Sequence, residues 1–239
     1  MAFDGITIAA MVKELHLNLD GGRFNKIAQP EADELLITGK GANGQCRLLL
    51  SASASLPLIY FTSKNKPSPM TAPNFCMLLR KHIGSARISD IRQPGMERVV
   101  MFELEHLNEL GDPCKKVLIM ELMGKHSNII FCDDKGMILD SIKHVSSHMS
   151  SVREVLPGRE YFIPKTQDKL DPLTVSERSF VMLCAGSPVI FPELFTLLLR
   201  ESVRLLRRRS VSGLRSTGVM QRSLWMRRRG CICIIRSAG

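Results

Sequence analysis

Apolar residues recur at helical spacing from the start of the chain. Ile8, Val12, Leu15 and Leu19 fall on one face, and Asp4 suits the cap position before them. Gly21-Gly22 ends that pattern. Short apolar runs follow and predict strands at 23–28, 34–38, 47–52 and 58–62. Pro67, Pro69 and Pro73 mark a loop. A second helix is expected over 74–83, burying Phe75, Leu78, Leu79, His82 and Ile83 and stopping at Gly84. Further strands are expected at 87–92, 98–105, 116–122, 128–132 and 137–143, the last two joined by the turn Asp133-Asp134-Lys135-Gly136. Residues 145–172 are rich in Ser, Pro and charge and read as a long connecting loop. Two helices among many short strands indicate an α+β fold, mainly antiparallel sheet, sandwich- or barrel-like.

Composition narrows the class. At 239 residues the chain holds one domain, or one domain with an appendage. With 44% hydrophobic and 23% charged residues it is not globally disordered. The start has no basic-then-apolar leader, and Pro57 and Pro192 break the longest apolar runs well short of a membrane span. The seven cysteines include no C-x-x-C pair, which leaves zinc and a disulfide framework without support and fits a reduced, cytoplasmic compartment.

The net charge of +10 suggests a polyanion partner until it is mapped along the chain. Residues 1–172 hold 21 Lys+Arg against 20 Asp+Glu, whereas 173–239 hold 12 Arg against 3 Glu. No lysine follows Lys169 and no aspartate follows Asp171. Arg triplets stand at 207–209 and 227–229. One reading is a basic RNA-binding arm. The other is out-of-frame translation, favoured by the missing lysines and by apolar runs such as Leu197-Leu198-Leu199. The expected division is therefore a domain at 1–173 and an Arg-rich tail at 174–239, out of frame or disordered.

Gly39-Lys40-Gly41-Ala42-Asn43-Gly44 satisfies G-x-G-x-x-G, but the following Arg47-Leu48-Leu49-Leu50 reads as strand, so a hairpin turn fits better than a dinucleotide loop. His144 and His148 have metal-ligand spacing only if helical, and their Ser-rich surroundings argue for an exposed loop. Lys125 and His126, between two strands, are candidate RNA contacts or simply loop residues. Arg80-Lys81-His82 closes the second helix, where cations suit the helix dipole and also suit phosphate. Arg98 shares a strand face with Val100, Phe102 and Leu104, so it needs a carboxylate or phosphate partner. Its neighbour Glu97 points to the opposite face. A structural ion pair is the simpler account of Arg98 and a ligand-facing role the alternative. No catalytic set assembles, so neither an enzyme nor a cofactor is expected.

Seven stretches in order resemble the NFACT N-terminal domain, also known as the fibronectin-binding protein A N-terminal domain, of the RqcH type. They are Met1 to Gly5, Gly22 to Ile27, Arg47 to Ala52, Pro73 to Ile83, Gly95 to Arg98, Glu121 to Ile130 and Val152 to Gly158. The resemblance covers about 1–173. It implies a module of a factor that binds the large ribosomal subunit still carrying peptidyl-tRNA after stalling. Such factors recruit charged tRNA, alanyl-tRNA in bacterial members, and support template-free alanine tailing that marks the chain for proteolysis. It implies tRNA contacts at Asp4, Glu97 and Arg98, with Glu97 standing where the family has aspartate. It also implies a fold similar to the N-terminal domain of formamidopyrimidine-DNA glycosylases. Those enzymes use a proline at the mature N-terminus, and Met1-Ala2 gives no support for that activity. The older family name carries the alternative of a fibronectin-binding surface adhesin. Complete members continue into helix-hairpin-helix elements, a coiled coil and a further domain.

Overall fold

The computed structural model describes residues 3–107, 111–164, 176 and 179. It divides the chain into units at 1–166 and 167–239, and every named helix and strand belongs to the first. The expected boundary near 173, and the tail at 174–239 apart from Ser176 and Ser179, lie outside the described residues.

Helix α1 spans Gly5–Leu19. Asp4 caps it as its position predicts, its carboxylate accepting from the Thr7 amide at 2.7 Å. Four strands follow: β1 (Arg23–Ala28), β2 (Glu34–Gly41), β3 (Gly44–Ser51) and β4 (Leu58–Phe61). Helix α2 spans Asn74–Ile83. Five more strands complete the order: β5 (Arg87–Arg92), β6 (Val99–Leu107), β7 (Pro113–Glu121), β8 (Asn128–Asp133) and β9 (Ile138–Ser141). All pair antiparallel in one nine-stranded sheet ordered β4-β3-β2-β1-β5-β6-β7-β8-β9. The expected α+β class and both expected helices are present.

The sheet is two arms. β1 and β5 meet at a single register pair, Arg23 with Arg87, flanked by bonds from Phe24 N to the Ala86 carbonyl and from Ile88 N to the Gly22 carbonyl. Both arms and both helices share one core. It takes Ile59 from β4, Leu35 and Ile37 from β2, Phe102 from β6 and Phe131 from β8, with Ile8, Leu15 and Leu19 of α1 and Phe75, Leu79 and Ile83 of α2. Each such side chain, fully buried, is worth about 1.5–3 kcal/mol. Phe24 and Phe102 pack across the junction with ring centroids 6.2 Å apart. Past the end of β9, Lys143 donates to the carbonyls of Ala52, just past β3, and of Ser127. The arms thus enclose the core in a sandwich-like manner and are tied again away from their junction.

The stripe on α2 differs in detail from the expectation. Phe75, Cys76, Leu79 and Ile83 are its buried residues, whereas Leu78 and His82 are half-buried at the margin. Gly39 to Gly44 is a hairpin turn, with Gly41 opposite Gly44 and Ala42-Asn43 at its tip. A Cβ on Gly41 would stand 1.7 Å from the Asn18 carbonyl oxygen, so glycine is what lets the end of α1 rest on this hairpin.

The segment after β9 is more than a connecting loop. Val99, Met101, Ile119, Ile130, Cys132 and Ile138 form a second apolar cluster, completed by Val155 and packed by Val145, Tyr161 and Ile163. Bridges from Val145 to Val155 and from Met137 to Glu160 anchor the strap. Beneath it Glu121 is fully buried. Arg153 Nη2 pairs with its carboxylate, Tyr161 donates to Oε1 at 2.9 Å, and Arg153 Nη1 donates to the Phe162 carbonyl at 2.7 Å. The cause is the sheet itself: strands apolar on both faces need cover on both.

Candidate nucleic-acid interface

One end of the second arm gathers most of the expected site residues. The loop after β5 turns at Pro94-Gly95, with Gly95 at φ 55 and Glu97 N donating to the Pro94 carbonyl at 3.1 Å. The Gln93 side-chain amide clips this loop to the helix, donating to Gly5 O at 3.0 Å and Glu97 O at 2.8 Å. Contact is so close that a Cβ on Gly5 would lie 2.4 Å from the Met96 carbonyl oxygen. Asp4, Glu97 and Arg98 are therefore brought to one junction between the start of α1 and the start of β6.

Lys125 and His126 join them from the turn that follows the neighbouring strand β7. The Arg98 carbonyl accepts from Leu122 N at 2.8 Å, and two residues later the 3-10 turn Gly124–His126 begins. Gly124 sits at φ 61, and the turn is closed by Met123 N donating to Ser127 Oγ at 2.8 Å. Lys125 and His126 are exposed, while Ser127 and Asn128 beneath them are buried. Asn128 accepts from Lys143 N at 3.1 Å and donates to Lys143 O at 2.8 Å, fixing the turn against β9's exit. Arg98 and Glu97 are both half-buried. The result is an exposed cationic turn beside an arginine on a rigid frame, an arrangement suited to phosphate contact.

Arg80 and Lys81 stand elsewhere. They close α2, where Arg80 Nε donates to the Ile27 carbonyl at 2.8 Å. The adjacent His82 ring lies 6.4 Å from that of His106, at the opposite end of β6 from Val99, roughly 23 Å along the strand at about 3.3 Å per residue. These two cations do not join the Arg98 cluster. His144 pairs with Asp140 at 2.7 Å in a non-helical segment, and among the described residues no group of three or more His, Cys, Asp or Glu is placed to hold a metal.

Sequence reasoning missed Gln93, Lys143 and the Glu121–Arg153–Tyr161 network. Glu121 offered a signal, an acid ending the apolar run Val117 to Met120. Burial, then the Glu121 charge, push the Tyr161 phenol far above its usual range. The Arg153 guanidinium, which burial alone would lower, is raised by Glu121.

The family model described as the NFACT N-terminal and middle domains matches residues 4–187. The chain belongs to the NFACT family. It is 43% identical over 180 residues to the Rqc2 homolog RqcH of Bacillus subtilis, covering 74% of this chain and 31% of that protein. It is 26% identical over 184 residues to the mouse ribosome quality control complex subunit NEMF, covering 77% of this chain and 16% of that protein. Among solved structures, the N-terminal domain of fibronectin-binding protein PavA from Streptococcus pneumoniae superposes with a TM-score of 0.80 at 33% identity, covering 89% of this chain and 81% of that one. The fibronectin/fibrinogen-binding protein N-terminal region from Streptococcus suis gives 0.79 at 34%, covering 84% and 75%. This NFACT chain spans about a third of the length of its bacterial RqcH relatives. Among its described residues no helix is long and apolar enough to cross a membrane.

Proposed function

We propose that this NFACT chain is a non-catalytic, cytoplasmic RNA-binding module of a ribosome quality-control factor. Its task is to position tRNA, alanyl-tRNA in the bacterial setting, on a large subunit that holds peptidyl-tRNA, so that the ribosome itself extends the nascent chain with alanine. One observation carries the reading: the capped start of α1, the Glu97–Arg98 loop and the Lys125–His126 turn converge on one end of the fold. Its relatives named for ribosome quality control support the cellular setting.

The test has two arms. Arg98→Ala, made in this chain and in a complete family member, should weaken tRNA binding at least tenfold while the melting temperature stays within about 2 °C. Unchanged tRNA binding refutes the assignment, and a large fall in melting temperature returns Arg98 to a structural ion pair. Co-sedimentation with large ribosomal subunits tests the setting. The second reading, a fibronectin-binding adhesin, rests on the names of two structural relatives. It predicts fibronectin capture that Arg98→Ala leaves intact and no association with ribosomal subunits.

A further inference from the structure

The first arm carries a basic surface that the tRNA reading does not use. Register assigns its outer face row by row. Ala28, Leu36, Leu49 and Tyr60 lie side by side across β1 to β4, and Lys26, Thr38 and Arg47 form the next row. Arg23 and Lys40 pair beyond them. The acids of this arm, Glu31, Asp33 and Glu34, cluster at the β1–β2 turn, away from the cationic rows. Glu34 pairs with Lys66, and that pair anchors the segment after β4. Arg23, Lys26, Lys40 and Lys64 are exposed, and none of them takes part in a described ion pair. The second arm's outer face is sealed by its own strap, whereas Tyr60 on this face is 43% exposed.

Two recesses that share Ser68 adjoin this face. A recess of about 170 Å³ lies between Lys26 and Thr38 on the sheet and Asn65 to Ser68 on the segment crossing it. Across Ser68 opens a cleft of about 590 Å³ between the outer face of α2, with Asn74, Met77 and Arg80, and the loop through Met70. Gln29 also lines this cleft and is 5% exposed. Its amide nitrogen donates to the Ala32 carbonyl at 3.2 Å, and its Oε1 is buried with no hydrogen-bond partner. The wall open to a ligand is apolar instead: Met77 on α2 is 54% exposed and Met70 on the facing loop is fully exposed.

We propose that this surface binds single-stranded RNA, with the backbone on the cationic rows and one unstacked base in the cleft. The choice of RNA among polyanions rests on the ribosome quality-control reading. Exposed cations without carboxylate partners suit phosphates, and the cleft has room for one nucleotide. Met70 and Met77 offer soft apolar contact to a base face, and Arg80 stands at the rim. A paired duplex cannot deliver a base into such a cleft without unpairing. The surface is therefore selective for unpaired nucleotides and lies apart from the Arg98 cluster, so one module would hold RNA at two places.

The experiment uses the full 239-residue chain, a fluorescent unpaired 12-nucleotide RNA, a hairpin of matched length, and a KCl series. The variant Lys26→Gln/Lys40→Gln/Lys64→Gln should lower the slope of log affinity against log salt by about 2, from roughly 0.7 per lost phosphate contact on a single strand. Met77→Ser, which removes the exposed apolar wall of the cleft, should weaken single-strand binding about tenfold while the melting temperature holds. Crosslinks from 4-thiouridine should map to residues 60–80. An unchanged slope, equal binding by Met77→Ser, or crosslinks confined to 173–239 would overturn the proposal. Arg98→Ala, assayed on tRNA in parallel, separates the two claims. If Arg98→Ala leaves tRNA binding intact while the lysine variant still loses slope, the tRNA-positioning reading fails and this surface stands. The converse result sinks this surface alone.

Discussion

Replacing Arg153 by methionine should be among the most damaging single changes outside the main core. Arg153 is 11% exposed at its side chain and Glu121 is 0% exposed, so solvent screens their pairing little. Methionine keeps most of the stem's packing but leaves the Glu121 carboxylate with the Tyr161 hydroxyl alone. It also removes the cation lying 5.6 Å from the Tyr161 ring centre and the bond to the Phe162 carbonyl. Breaking a buried pair from one side costs about 3–5 kcal/mol, against a total stability of roughly 5–15 kcal/mol. For a domain of this size that is a fall in melting temperature of about 6–20 °C. The assay is urea and thermal unfolding at pH 7, followed by circular dichroism. The double variant Glu121→Leu/Arg153→Met is the control, because an apolar replacement of both partners leaves no buried charge and should recover most of the loss. A single variant that loses less than about 1 kcal/mol, or a double variant no better than the single, would refute the reasoning and make the strap's hold purely apolar.

Gly41→Ala should destabilise by about 3 kcal/mol, since its Cβ would fall 1.7 Å from the Asn18 carbonyl; a loss below about 1 kcal/mol in urea unfolding would mean that α1 shifts freely. Asp4→Ala should cost about 1 kcal/mol through loss of the cap, whereas Asp4→Asn should keep the stability. If Asp4→Asn also keeps full tRNA affinity, Asp4 is a cap and nothing more. Burial, then the charges of Asp133 and Glu121, raise the Cys132 thiol from 9.0 to about 12. A raised thiol contributes its stability in full below the unfolded value and loses it as pH climbs toward 12, at up to about 1.4 kcal/mol per pH unit. Unfolding measured from pH 8 to 11 should therefore fall less steeply for Cys132→Ala, and native Cys132 should resist thiol reagents at pH 8. Equal slopes, or rapid native labelling at this position, would contradict the burial argument.

Local order was legible in the sequence, and long-range order was not. The α1 period, the Asp4 cap, the Gly39–Gly44 hairpin and the strand positions all follow from residues within a turn or two of each other. The role of Lys143 depends on Ala52, 91 positions away, and no periodicity marks such a pair. Residues 145–163 misled because strap residues are apolar only where they meet the sheet: Val145, Val155, Tyr161 and Ile163 are too widely spaced to register as an element. For the candidate site, the types of Arg98, Lys125 and His126 were readable. Their convergence, and the separation of Arg80 and Lys81, required the β6–β7 register and the placement of α2.

The single pair joining β1 to β5 also shapes how the chain folds. Every other strand pairs with its neighbour in sequence, so β1 to β4 and β5 to β9 are each meanders that can zip hairpin by hairpin. Loop closures within them are short, which favours rapid assembly. The slow event is the closing of the two meanders onto α1 and α2, when one ladder rung and the Lys143 tie form across wide gaps in sequence. On a ribosome the first meander and both helices emerge before β5 and the rest of the second meander do. The nascent form should therefore be a half-built shell with an open apolar face, exposed until the second meander arrives.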